Sequence, residues 1–60
     1  MNKEVRLYTL PDGANFKIKN GEEWQHFKKT DTVINGRVHC FWSDRNSIAQ
    51  IPRVELVFPS

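Results

Sequence analysis

Asn15-Phe16-Lys17-Ile18-Lys19-Asn20-Gly21-Glu22-Glu23-Trp24 is the stretch on which the fold turns. Phe16 and Ile18 alternate with Lys17 and Lys19, a period of two that belongs to a strand with one covered face. Asn20-Gly21 ends the run. Both residues tolerate the left-handed conformation of a type I′ turn, so the chain is expected to double back as a hairpin. A third strand is expected over residues 22–28, where Trp24 and Phe27 stand three apart. That spacing breaks strict alternation and predicts a bulge or a strand end near Gln25-His26.

The same grammar holds on either side. Residues 5–10 alternate and predict a strand, closed by Leu10-Pro11-Asp12-Gly13, where proline presets the first turn position and glycine accepts a positive φ. Thr30-Asp31-Thr32 is polar and predicts a turn or kink. Thr32, Val33 and Ile34 lead into a second Asn-Gly, at Asn35-Gly36, and residues 37–42 form the return strand. On that strand Val38, Cys40 and Trp42 share one face; Arg37, His39 and Phe41 share the other. Residues 43–47 make a polar loop. A short strand over 48–51 stops at Pro52, Pro52-Arg53-Val54 predicts a 3₁₀ turn, and a closing strand covers 55–58. The expected core is Val5, Leu7, Phe16, Ile18, Trp24, Val38, Cys40, Ile51, Val54 and Leu56.

Five or six short antiparallel strands in 60 residues, with two Asn-Gly hairpins and no convincing helix, predict an all-β fold. Its expected form is a single domain over residues 1–60, a small SH3-like barrel, closed or half-closed. A chain this short has a small core, so it is expected to draw stability from a further source. Cys40 is the only cysteine, which excludes a disulfide within the chain and suits a reducing, cytoplasmic setting. With His26 and His39 as the other soft ligands, no zinc spacing exists, and no metal or cofactor is expected. Self-association remains. A homo-oligomer is expected, with Trp24 or Trp42 near the contact. The net charge of +2 is mild for a nucleic-acid-coating protein. No apolar run approaches the ~20 residues of a membrane span, and Met1 to Glu4 is too polar to open a signal peptide.

Residues 13–25, Gly13-Ala-Asn-Phe-Lys-Ile-Lys-Asn-Gly-Glu-Glu-Trp-Gln25, resemble the first half of the plasmid-borne type II dihydrofolate reductases. Ser47-Ile-Ala-Gln-Ile-Pro52, followed by Val54 and Leu56, resembles their pore strand and final apolar strand. The resemblance implies an SH3-like barrel and a homo-oligomer. Matching the prolines puts Ile48, Ala49, Gln50 and Ile51 on the family's Val-Gln-Ile-Tyr positions and Ile18 on its pore lysine. The pore glutamine, tyrosine and lysine are therefore missing, and no reductase activity is expected. The chain is also similar to tiny barrels of phages and other mobile elements, in which a Leu-x-x-Gly-x-x-Phe opening precedes a Trp or Tyr strand and a terminal Val.

Three groups of residues offer themselves for function. Trp24, Phe41 and Trp42 are anchors of the kind found at protein interfaces, or else core fillers. Lys17, Lys19, Lys28, Lys29 and Arg37 form a basic stripe suited to nucleic acid, or else a solvated face broken by Glu22, Glu23 and Asp31. His39 and Cys40, adjacent on a strand, point to opposite faces and make no nucleophile–base pair. No catalytic residues are assigned. The expected function is a non-catalytic binding module, a phage or mobile-element accessory or inhibitory protein that docks on a host protein. The alternatives are a nucleic-acid-binding barrel and a divergent reductase-like oligomer.

Overall fold

The structure, a computed structural model, describes residues 3–60. Six strands form one sheet: β1 (Val5–Arg6), β2 (Asn15–Asn20), β3 (Glu23–Ile34), β4 (Arg37–Trp42), β5 (Ser47–Pro52) and β6 (Leu56–Pro59). Their order is β1-β6-β2-β3-β4-β5, and every pairing is antiparallel. The all-β expectation holds. The sheet curls but does not close into a barrel, since β1 and β5 stand at its two edges and do not pair.

What lies across the gap explains a departure at the start of the chain. Residues 5–10 were expected as one strand. Only Val5–Arg6 pairs, with Val57 and Leu56, and Leu7–Thr9 coils into a 3₁₀ turn. The amides of Leu7 and Tyr8 donate to the carbonyls of Glu55 and Arg53, both at 2.9 Å. Their backbone groups are thus satisfied by the connection between β5 and β6 rather than by a ladder. The expected turn at Pro52-Arg53-Val54 is present, closed by the Glu55 amide on the Pro52 carbonyl at 3.0 Å.

The two Asn-Gly sites turn the chain in different ways. Ile34 pairs with Arg37, so Asn35-Gly36 is a two-residue loop with φ of 53° and 75°, the type I′ turn expected. At the other site Asn20 pairs with Glu23, so the loop is Gly21-Glu22. Gly21 alone is left-handed, at 66°, and Asn20 stays in β2. Glycine at the first central position is the type II′ preference.

β3 runs unbroken past Gln25-His26, where a bulge was expected. Its irregularity lies later. Lys29 pairs with Cys40 and Val33 with Val38, so four steps on β3 match two on β4 and two residues are extra. The surplus falls in Thr30-Asp31-Thr32, the polar stretch expected to kink. Thr30 Oγ1 donates to the His39 carbonyl there, anchoring the bulge to β4.

Alternation then fixes two faces. Phe16, Phe27 and Trp42 line up across β2, β3 and β4 on the inner face. Phe16 and Phe27 stack at 5.4 Å between ring centroids, and Phe27 and Trp42 lie 5.4 Å apart at 30°. The core is Leu7, Phe16, Phe27, Val38, Cys40, Ile51 and Val57. Val5 and Ile18 are half-buried against it. Three expected core residues are exposed instead: Trp24, Val54 and Leu56. Since β3 has no break between Trp24 and Phe27, an odd spacing puts them on opposite faces, and Phe27 takes the inside. The Val5–Val57 pair likewise turns Val57 inward and Leu56 outward.

Candidate nucleic-acid interface

The outer face of β2, β3 and β4 gathers most of the basic residues singled out above. Lys17 stands between Phe58 on β6 and His26 on β3; Lys19 faces Trp24; Lys28 stands between Asn15 on β2 and Phe41 on β4. Arg37 lies further along β4, opposite Ile34. Directly opposed residues on an antiparallel pair share a face, so these side chains form one surface.

Trp24 is its centre. It is 38 % exposed, and its ring meets Phe58 edge-on, with centroids 5.1 Å apart and planes at 89°. That contact contributes about 0.5–1.5 kcal/mol beyond area. The Lys17 and Lys19 ammonium groups sit 4.7 and 5.8 Å from the Trp24 ring centre. Exposed cation–π pairs of this kind are worth about 0.5–1 kcal/mol each. The ring is therefore braced by the edge-on contact with Phe58 and carries positive charge over its face.

The acids that interrupt the lysines in sequence form no ion pair with Lys17, Lys19 or Lys28 among the described residues. Glu23 pairs with Asn20, one residue out of phase with Trp24, and so faces away from it. Glu22 lies in the first turn and Asp31 in the bulge. Asp44 accepts the His26 amide at 2.8 Å, which holds the β4–β5 loop against β3.

Lys29 leaves the stripe. It is on the inner face, 8 % exposed, and its ammonium pairs with Asp12 at 2.8 Å. The Asp12 turn is also fastened by backbone bonds, Gly13 amide to Lys29 carbonyl and Lys29 amide to Ala14 carbonyl, both 2.9 Å. One residue of phase separates a surface lysine, Lys28, from a structural one.

The candidate protein anchors are also divided. Trp24 and Phe41 face outward; Trp42 faces inward against Phe27, with the Arg45 guanidinium 4.7 Å over its ring. Its indole N–H is buried without a partner among the described residues. Cys40 is fully buried, which pushes its thiol up to about 11 against a smaller opposing pull from Lys29. His39 lies on the other face, so the two do not meet. Of the reductase-like pore positions, Ile48 and Gln50 face outward and Ala49 and Ile51 inward, all on the edge strand β5. Among the described residues no three His, Cys, Asp or Glu gather as metal ligands. No helix there is long and apolar enough to cross a membrane.

Two features went unread in the sequence. Phe58 was assigned only to a closing strand, yet it braces Trp24. At the β3–β4 turn a groove of about 480 Å³ is lined by Ile34, Asn35, Arg37, His39 and Gln50. The alternation of Arg37 and His39 with Val38 and Cys40 was the available signal. The missing part was the pairing of His39 with Gln50 across β4 and β5.

No family model, curated protein or solved structure matches the chain.

Proposed function

We propose that the protein binds single-stranded nucleic acid on the outer face of its sheet. Unpaired bases stack on Trp24 and Phe41, while Lys17, Lys19 and Lys28 take the phosphates. The observation that carries this reading is the sorting by strand phase: Trp24, Phe41, Lys17, Lys19 and Lys28 on one face, Glu23 on the other. Backbone-tracking charge with interleaved aromatic rings suits every base, because every base has a π-face. From Trp24 to Lys28 on β3 and from Phe41 to Arg37 on β4, the eight residue steps run roughly 27 Å at the rise of a strand, space for on the order of four nucleotides. Docking of a host protein on Trp24, Phe41 and Trp42 as one patch lacks comparable support, because Trp42 is on the opposite face.

Tryptophan fluorescence titrated with single-stranded DNA and RNA homopolymers tests the proposal. Quenching and saturable binding at low salt are expected. Trp24→Ala should weaken binding by about 1–3 kcal/mol, the worth of one stacked base. Absence of binding to either polymer at low salt would remove the nucleic-acid reading and favour a protein partner.

A further inference from the structure

We propose that the groove at the β3–β4 turn is a nucleotide subsite, with one phosphate on Arg37 and one base held against His39, Asn35 and Gln50. The choice of ligand rests on the single-strand reading of the outer face, of which the groove is the far end. Arg37 is exposed and has no carboxylate partner, since Lys29–Asp12 is the one ion pair among the described residues. A guanidinium fork matches phosphate oxygens in a bidentate way. The side chains of Asn35, His39 and Gln50 make no hydrogen bond among the described residues. Each amide brings both donors and an acceptor, the pattern a base edge needs. Ile34, 52 % exposed, supplies an apolar wall.

The groove is also held in shape. Asn35 and Gly36 are fixed in the left-handed conformation, and the Gly36 carbonyl accepts the Arg53 amide at 3.0 Å. The Pro52–Arg37 and His39–Gln50 pairs fix its floor. A volume of about 480 Å³ falls within the range of small-ligand sites, roughly 300–1,000 Å³. Lysines along the track neutralise phosphates without reading sequence. The groove, with its free amides, is where one base is distinguished from another.

The test follows backbone amide resonances of the full chain during titration with the four nucleoside 5′-monophosphates, the free nucleosides and inorganic phosphate. The monophosphates should shift Arg37, His39 and Gln50, with nucleosides and phosphate at least tenfold weaker. Arg37→Gln should weaken the monophosphates at least tenfold, and Gln50→Ala should change their ranking. Inorganic phosphate binding as well as the nucleotides would reduce the groove to an anion site and overturn the proposal, as would no shift at all. Single strands that bind through Trp24, with affinity and base ranking unchanged in both groove variants, would overturn the subsite alone. Monophosphates held in the groove of a protein that binds no single strand would overturn the outer-face reading and keep the subsite.

Discussion

Lys28 and Lys29 show how much one residue of phase decides. Lys28 is exposed beside Phe41; Lys29 is buried beside Cys40 and paired with Asp12. Lys28→Glu should weaken nucleic-acid binding and leave the urea midpoint nearly unchanged. Lys29→Glu should do the reverse. It puts a second carboxylate against Asp12 in a covered site, at a cost on the order of 2–4 kcal/mol, moderated by the exposure of Asp12. Equal effects of the two on binding would show that the lysines share a face. Cys40 gives a pH test. Its folded thiol is raised from 9.0 to about 11 by burial, so between those values the unfolded chain loses a proton that the folded chain keeps. Stability should therefore fall with rising pH in that window, by at most about 1.4 kcal/mol per unit. The slope difference between the wild type and Cys40→Ala in urea melts isolates the contribution of the thiol. Identical slopes would mean that the thiol is open to solvent when folded.

The strands were legible because apolar alternation and turn residues are local signals. β2, β4 and β5, the type I′ turn at Asn35-Gly36 and the kink at Thr30-Asp31-Thr32 all came from the sequence, while the first hairpin turns one residue later than read, at Gly21-Glu22. The errors arose where one residue of register, set by a distant strand, decides the face. Trp24 was assigned to the core as one of the few large groups able to fill it, and a bulge was expected between it and Phe27. The extra residues are in fact placed after Lys29, where β4 can accommodate them. Leu56 and Val57 cannot be told apart without knowing that Val5 pairs with Val57. The candidate binding face was half-legible for the same reason: the lysines were named, but the separation of Glu23 and Lys29 from them needs the register. The turns offer the test at this scale. An added Cβ at Gly21 or Gly36 meets nothing within 4 Å, so only the backbone conformation opposes it. Gly21→Val and Gly36→Val should each cost more than about 1 kcal/mol in chemical denaturation. Midpoints equal to the wild type would contradict both hairpins.

Two properties belong to the whole molecule. The first is salt dependence. If Lys17, Lys19, Lys28 and Arg37 each neutralise one phosphate, the logarithm of affinity should fall against log salt with a slope of about −3 for a single strand. A flat response would mean that stacking acts alone or that the track is wrong. The second is self-association. β5 is an edge of the open sheet, and Ser47-Ile48-Ala49-Gln50-Ile51-Pro52 carries no charge. Uncharged edges invite pairing with another chain, and two copies of one edge can pair about a twofold axis. Light scattering should show a dimer that rises with concentration, and Ile48→Lys should return it to monomer. A strict monomer at all concentrations would show that Pro52 and the sheet's curl already protect the edge.

The placement of β6 between β1 and β2 has a further consequence. The last strand in the chain is not an edge but an insert, hydrogen-bonded on both sides and anchored by the fully buried Val57. The hairpins from β2 to β5 form between neighbours in sequence, whereas β6 must return across the whole chain to fill its slot. Contacts of that range are the slow ones in folding. A chain severed within the turn after Pro52 would keep the meander and present a vacant groove the width of one strand. The excised segment, offered as a free peptide, is the natural occupant of that groove, so the fold has the layout of a two-piece complementation system.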